Sequence, residues 1–253
     1  MGHVQENQPP GVPPLELTGE RTLPDIPVEN YWYRRHLAVY EWIAEQVVGL
    51  RVADLACGEG YGAAVLAGSA AEVVGVEANP EAFEHAVSRY QRENLRFDRG
   101  LVEDFQGPCD AAVFLQTIEH IEDPGALLER LAQAAPVLYV STPNRLTLAP
   151  PGASKSDNPW HLREYTLDEY RKLLEPRFAQ VRIFGVFHAR KLRARKLRAH
   201  ELALRLGWDR VHRMLRITKP FYNRFIPAIS SSDFRLAEDK LESALDFVAV
   251  CRG

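Results

Sequence analysis

A carboxylate and an imidazole stand side by side in the sequence QTIEH, residues 116 to 120. Glu119 and His120 follow the apolar run AAVFL, which predicts a buried strand, so both side chains are expected where that strand ends. A polar pair in such a place costs desolvation free energy unless it has partners. His120 is therefore a candidate general base for a substrate hydroxyl, and Glu119 is a candidate to orient its ring. The alternative is that the pair only shapes the turn.

His161, in the sequence NPWHLREYT, is a candidate to join this pair in a metal site. Glu119, His120 and His161, with Gln116 nearby, offer oxygen and imidazole ligands that a divalent cation such as Mg²⁺ accepts. The alternative for His161 is a loop histidine that is hydrogen-bonded to the backbone.

A glycine-rich turn follows another predicted strand in the sequence VADLACGEGYGAA. Gly58, Gly60 and Gly62 let the backbone approach a ligand closely, and the following helix offers free N–H groups at its start. The spacing is G-x-G-x-G, which differs from the dinucleotide fingerprint G-x-G-x-x-G. Asp54 precedes the turn, and Glu77 closes the next predicted strand, where a carboxylate suits ribose hydroxyls.

The sequences DLACGEGYG and GVEANP resemble the cofactor motifs of class I S-adenosylmethionine-dependent methyltransferases. The resemblance covers residues 50 to 187 and implies S-adenosylmethionine (SAM) as the cofactor. It implies that the turn wraps the methionyl part with Asp54 near the ammonium group, that Glu77 holds the ribose, and that residues after the third strand meet the adenine. The expected cofactor-binding residues are Asp54, Ala56, Cys57, Gly58, Gly60, Glu77, Ala78, Leu101, Val102 and Gln116, together with Tyr33 from the aromatic sequence NYWYRRH.

Short apolar strands alternate with helical segments from residue 51 onward, which predicts a doubly wound, Rossmann-like α/β fold. We expect a mostly parallel sheet of seven strands with helices on both faces. Residues 1–30 are rich in proline and predict an irregular arm, and residues 31–253 predict one catalytic domain. The loop at 144–165 is a candidate cover for the site. The sequence TLDE at residues 166–169 predicts a helix start with a capping box.

Charge is distributed unevenly over the 253 residues, whose formal net charge is −3. Between residues 190 and 224 there are twelve Lys or Arg against two acids, within a predicted helical insert at about 188–230 before the last strand. Nucleic acid, a membrane surface or another protein surface would each attract such an insert. Its first six basic residues do not form a one-sided stripe, and later apolar residues favour a lid or a homodimer element over RNA binding.

Other features of the sequence limit the class of protein. No run of 18 apolar residues and no secretory signal appear, so we expect a cytoplasmic protein without a membrane span. Three cysteines, which are far apart in the sequence, predict neither a disulfide framework nor a metal cluster, and we expect buried thiols.

The order of the motifs, from GERTLPDIPVENYWYRRH to NPWHLREYT, resembles an actinobacterial group of methyltransferases that includes 1-O-methyltransferases of methylmannose polysaccharide synthesis. The resemblance implies methylation of a carbohydrate hydroxyl, namely the reducing-end 1-hydroxyl of a short 3-O-methylated mannoside. Two alternatives remain open. One is a metal-dependent RNA 2′-O-methyltransferase, and the other is a binding protein that has kept the cofactor fold without turnover.

Overall fold

A computed structural model describes residues 3–150, 152–190 and 226–253 of the chain. The strands are β1 Arg51–Leu55, β2 Glu72–Glu77, β3 Leu95–Arg99, β4 Ala111–Leu115, β5 Val137–Pro143, β6 Gln180–His188, β7 Phe234–Ala237 and β8 Asp246–Arg252. The helices are α1 Asn30–Ala44, α2 Tyr61–Leu66, α3 Pro80–Arg89, α4 Pro124–Ala134, α5 Arg145–Leu148 and α6 Leu167–Leu174.

The strands form one sheet in the order β3-β2-β1-β4-β5-β8-β6-β7. Neighbouring strands from β3 to β5 pair in parallel, and β8 lies antiparallel between β5 and β6. The order reverses between β1 and β4, so the crevice outside the carboxyl ends of these two strands is where a ligand is expected in this fold.

Alternate residues of the central strands enter two apolar clusters, which therefore lie on opposite faces of the sheet. Ala112 and Phe114 of β4 pack with α4 and α6, whereas Val113 and Leu115 pack with α1 and α2. This arrangement explains the nearly continuous apolar sequence of β4, since all of its residues are buried. The doubly wound α/β architecture is thus confirmed.

The helix starts follow local sequence signals. Asn79 and Asp123 cap α3 and α4 through side-chain oxygens that accept backbone N–H groups. Thr166 and Glu169 form the predicted capping box at the start of α6. The three cysteines are buried and unpaired, as expected.

The sheet has eight strands, so the expectation of seven was wrong. The additional strand, β7, forms the edge of the sheet and pairs antiparallel with β6, from Gly185↔Ala237 to His188↔Phe234. Its sequence FRLA is only four residues long and lacks a clear alternation, so it gave no strand signal. The predicted helical insert lies mainly outside the described residues, and residues 226–228 and 231–233 form short 3₁₀ turns.

The described part of the arm folds back onto the domain. A single antiparallel bridge joins Val4 to Glu16, and a short 3₁₀ turn at Pro27–Glu29 leads into α1. Leu15, Leu23 and Ile26 form a small apolar cluster with Ala82 of α3. In the part of the chain that the structure describes, no helix has the length and apolar character needed to cross a membrane.

Candidate active site

A cleft of about 680 Å³ opens at the carboxyl ends of β1, β2, β4 and β5. The sheet end and the glycine-rich turn form its floor. The arm (Gly19 to Thr22) and the loop after α5 (Ser156 to Leu162) form its roof. The Trp160 indole N–H donates to the Thr18 carbonyl at 3.4 Å, which joins these two roof segments. The loop predicted to cover the site thus lines the cleft together with the arm.

The glycine-rich turn has the backbone geometry that its sequence predicts. Gly60 has a φ of +95°, and a Cβ there would lie 2.8 Å from the Cβ of Ala86, so only glycine fits. A Cβ on Gly62 would lie 2.1 Å from the ring of Tyr40. Ala56, Cys57 and Gly58 line the cleft. The turn is therefore packed closely against α1 and α3 while one side faces the cleft.

Glu77 is held at the end of β2 by two backbone N–H groups. Its Oε2 accepts from Gly58 and its Oε1 accepts from Asn79, both at 2.8 Å. Each carboxylate oxygen retains a free lone pair for a ligand hydroxyl, since a carboxylate accepts about four hydrogen bonds. Glu77 lines the cleft and is therefore placed where a ribose could bind.

Asp54 is fully buried at the end of β1 and has one satisfied oxygen. The Tyr40 hydroxyl donates to Oδ1 at 3.2 Å, whereas Oδ2 has no hydrogen-bond partner among the described residues. Burial, with a smaller contribution from the nearby charge of Glu77, raises the pKa of Asp54 to about 8. A buried carboxylate oxygen without a partner fits a cationic group of a ligand, because that partner would stabilise the ionised form.

Glu59, which sequence analysis did not single out, connects the turn to the arm and to α3. Its fully buried carboxylate accepts from Gln5 Nε2 at 3.3 Å, Tyr90 Oη at 2.9 Å and the Tyr61 backbone N–H at 3.0 Å. His85 Nε2 lies 3.2 Å from the same carboxylate, and His85 Nδ1 lies 2.6 Å from the Pro13 carbonyl. The signal that could have identified Glu59 is an acidic residue inside an otherwise small and apolar turn.

The Glu119–His120 pair lies at the far side of the cleft, in a 3₁₀ turn after β4. His120 is half-buried, and its Nδ1 lies 2.8 Å from the Trp160 carbonyl, so this nitrogen carries the hydrogen of the neutral ring. Burial, with a contribution from His161, lowers the pKa of His120 below its usual 6.5. The ring is therefore neutral at pH 7, and Nε2 offers a lone pair.

Glu119 is buried, and it fixes the turn to the roof loop. Its Oε2 accepts from the Thr142 hydroxyl at 3.1 Å, and its backbone carbonyl accepts from the N–H of Leu162 at 3.0 Å. Burial raises the pKa of Glu119 to about 8. Gln116 is held nearby in a left-handed conformation, with its backbone N–H donating to Ser141 Oγ at 3.0 Å.

His161 approaches this pair from the roof loop. Its ring lies 5.1 Å from that of His120, and its Nδ1 lies 2.6 Å from Glu164 Oε1. The buried Glu164 is in turn bonded to the backbone N–H of Ser156 at 2.9 Å. A carboxylate on Nδ1 fixes the tautomer so that Nε2 is the ligand atom, which is the usual arrangement for metal-binding histidines.

The ligand atoms of Glu119, His120 and His161 lie within 4.8 Å of one another. A carboxylate with two imidazoles fits a divalent cation by donor type. Asn158 Nδ2 lies 3.0 Å from His161 Nε2, so a cation would have to displace that amide. The structure thus brings together the three residues that the sequence suggested for a metal.

Six predicted cofactor residues lie outside the lining of the cleft, and among these Asp54 and Gly60 are buried. Tyr33 lines a second pocket and packs against Tyr61 at 5.1 Å. Ala78 is exposed beside Glu77, Leu101 is 53% exposed, and Val102 is buried in the core. The cleft lining instead includes residues that the sequence analysis did not single out, namely Glu20, Glu29, Trp32, His36 and Trp160. No local pattern marked Glu20 or Glu29, because the fold of the arm brings them to the cleft.

Comparison with known proteins identifies the family. A family model described as a methyltransferase domain matches residues 31–195. A probable S-adenosylmethionine-dependent methyltransferase of Mycobacterium tuberculosis is 39% identical over 184 residues, which cover 71% of this chain and 67% of that protein. A probable S-adenosylmethionine-dependent methyltransferase of Mycolicibacterium smegmatis is 34% identical over 252 residues, which cover 93% of this chain and 94% of that protein.

A solved structure supports the fold alone. The methyltransferase domain of bacterial CtHen1-C superposes with a TM-score of 0.54 at 17% identity, over 87% of this chain and 98% of that one. The family match, the two mycobacterial relatives and a cleft with an intact glycine-rich turn agree with one another. The chain belongs to the S-adenosylmethionine-dependent methyltransferases and is an enzyme that uses SAM.

Proposed function

We propose that this enzyme transfers the methyl group of SAM to a hydroxyl oxygen of a carbohydrate. The observation that carries the proposal is the lining of the cleft around His120. Two indole rings, Trp32 and Trp160, face a cavity whose charged lining within the described residues comprises five carboxylates and one guanidinium, that of Arg21. Aromatic faces and carboxylates suit the apolar faces and hydroxyls of a sugar.

The acidity of this lining argues against a nucleic-acid acceptor. Glu20, Glu29 and Glu119 line the cleft, and Arg21 is paired with Glu20 at 2.9 Å. Burial raises the pKa of Glu29 to about 7 and that of Glu119 to about 8, so both carboxyl groups can donate as well as accept hydrogen bonds near neutral pH. Phosphodiester binding instead depends on Lys and Arg.

His120 serves as the general base in this proposal. When bound, SAM would supply an electrophilic methyl group, whose bond to sulfur would break with S-adenosylhomocysteine as the leaving group. The Trp160 carbonyl holds Nδ1–H of His120, which leaves Nε2 to take the proton as the hydroxyl oxygen bonds to the methyl carbon. Its lowered pKa keeps the ring neutral and ready to accept at pH 7. The remaining rate enhancement comes from the cleft walls, which position the acceptor hydroxyl relative to the methyl group.

Residues of the cofactor half of the cleft hold SAM in this proposal. Glu77 accepts hydrogen bonds from the ribose hydroxyls, and the free Oδ2 of Asp54 receives the ammonium group. The turn at Ala56, Cys57 and Gly58 lies along the methionyl part, and Gln116 lies beside the reacting groups at the end of β4.

Mg²⁺ would give the same three side chains a different role. Glu119, His120 and His161 would hold the cation, which would bind and acidify the acceptor hydroxyl. Since Nε2 of His120 cannot bind a metal and accept a proton at once, the two roles exclude each other and predict opposite responses to a chelator.

The acceptor that we propose is the reducing-end 1-hydroxyl of a short 3-O-methylated mannoside. Its support is the resemblance carried by the motif order. A cytoplasmic location and a homodimer belong to the same proposal.

The test is methyl transfer from labelled SAM to short mannosides with and without 3-O-methyl groups and to a short RNA, each with Mg²⁺ or with a chelator. We expect label in the methylated mannoside. Label in RNA alone would overturn the carbohydrate proposal. Full activity in chelator would assign His120 as the base, whereas loss of activity restored by Mg²⁺ would assign the metal role.

A further inference from the structure

A second pocket of about 560 Å³ lies on the outer side of the arm. Its walls come from the arm, the first turns of α1, the start of α2 and the end of α3. Its volume is within the range of small-molecule sites. Tyr61 lines both this pocket and the cleft, so the two spaces adjoin at this residue.

The pocket contains two guanidinium groups that have no acidic partner among the described residues. Within the described residues, neither Arg34 nor Arg92 forms an ion pair with a carboxylate. The third arginine, Arg89, is neutralised by Asp25 at 2.7 Å. The remaining acid in the lining, Glu6, is exposed at the rim. Two cations therefore remain for an anionic ligand.

Contacts with Asn30 and Tyr33 fix the orientation of the Arg34 side chain. Its Nε donates to Asn30 Oδ1 at 3.1 Å, and its Cζ lies 4.9 Å from the centre of the Tyr33 ring. A guanidinium fixed at one edge and stacked on an aromatic ring keeps its other N–H groups free, and little side-chain entropy is lost when it binds an oxyanion.

Three tyrosines line the pocket beside these cations, which adds aromatic surface to the positive charge. Tyr33 and Tyr61 meet edge to face at 5.1 Å, and neither hydroxyl has a hydrogen-bond partner among the described residues. Tyr90 donates to Glu59 at the base. Arginines select a phosphate, and tyrosine rings and hydroxyls suit a sugar ring next to it.

We propose that this pocket is a binding site for a sugar phosphate, separate from the methyl-transfer cleft. The phosphate contacts Arg34 and Arg92, and the sugar lies against Tyr33 and Tyr61. This inference does not depend on which hydroxyl the enzyme methylates.

The test is isothermal titration calorimetry of the full chain with glucose 6-phosphate. S-adenosylhomocysteine is present at saturation so that the cofactor half of the cleft is filled. We expect saturable binding, and glucose should bind at least about tenfold more weakly, because charge-assisted contacts to phosphate are lost. Absence of saturable binding, or equal binding of glucose, would overturn the proposal.

Variants of the lining arginines test whether glucose 6-phosphate binds in this pocket. Arg34→Ala and Arg92→Ala should each weaken glucose 6-phosphate binding by about tenfold or more, whereas Arg171→Ala, an exposed arginine on α6, should leave it unchanged. Arg92 is exposed, so its replacement does not threaten folding, and a thermal melt checks the fold of Arg34→Ala. Equal affinity in all three variants would place the ligand elsewhere and refute the site.

Discussion

Replacing Glu77 tests whether the end of β2 holds the ribose of SAM. Both carboxylate oxygens already accept a backbone N–H at 2.8 Å, from Gly58 and Asn79, and the side chain is almost fully buried. These bonds aim the carboxylate, and one lone pair on each oxygen is left for a ribose hydroxyl. Glu77→Ala removes both acceptors, whereas Glu77→Gln keeps one.

The expected losses follow from the number of hydrogen bonds. A hydrogen bond to a charged group contributes about 1.5–3 kcal/mol. Glu77→Gln should therefore weaken binding of S-adenosylhomocysteine by about 10- to 150-fold. Glu77→Ala loses two such bonds, or about 3–6 kcal/mol, and should weaken it by roughly 10²- to 10⁴-fold.

Isothermal titration calorimetry measures these affinities, at a temperature where thermal melts show each variant to be folded. Glu81→Ala is the matched control, because Glu81 is an exposed carboxylate in the first turn of α3, four residues along the chain. Binding by folded Glu77→Ala within about threefold of the unmodified enzyme would refute the reasoning, since that loss is smaller than one charged hydrogen bond.

Further predictions concern the base, the buried acids and the arm. His120→Gln should slow transfer by about 10²- to 10⁴-fold with unchanged S-adenosylhomocysteine affinity, and a loss under about tenfold would assign the proton to another group. Because burial lowers the pKa of His120 below 6.5, the rate of methyl transfer should fall only at pH values below 6.5. The pH–rate profile of His120→Gln should lack this fall. The pKa of Glu119, raised from 4.5 to about 8, means that the folded state holds a proton that the unfolded state has released. The free energy of unfolding should therefore decrease as pH rises from 4.5 to 8. Measured by urea unfolding in chelator, this free energy should depend less steeply on pH for Glu119→Gln than for the unmodified enzyme, and an equal dependence on pH would contradict the reasoning. Glu59→Ala should lower the free energy of unfolding by about 3–5 kcal/mol in the same assay, because it leaves buried partners unpaired, whereas exposed Glu84→Ala should change it little; equal losses would refute the role of Glu59.

Local signals predicted the floor of the cleft well. Glycine spacing indicated the turn after β1, and a carboxylate at the end of β2 indicated Glu77, because both depend on the strand ends themselves. The capping box at Thr166 was likewise predictable, because it depends on the sequence of four consecutive residues. The edge strand β7 was missed because a strand of four residues that pairs with one neighbour, β6, is too short to show a periodic pattern.

The roof of the cleft was harder to predict because its contacts join distant segments. Gln5 meets Glu59 across 54 positions, and Trp160 meets Thr18 across 142. Nothing in the proline-rich arm marks Glu20 or Glu29 as lining residues. Tyr33 was expected at the cofactor but lies in the second pocket, since its position on α1 turns the ring toward Tyr61.

Glu59 explains why the arm forms part of this cleft. A carboxylate buried inside the glycine-rich turn would be strongly unfavourable without partners. Its partners are Gln5 from the arm and Tyr90 directly after α3, while His85 of α3 contacts both Glu59 and the Pro13 carbonyl. The turn that faces the cofactor therefore also fixes the arm that covers it. A change that loosens the arm thus also removes partners from the turn.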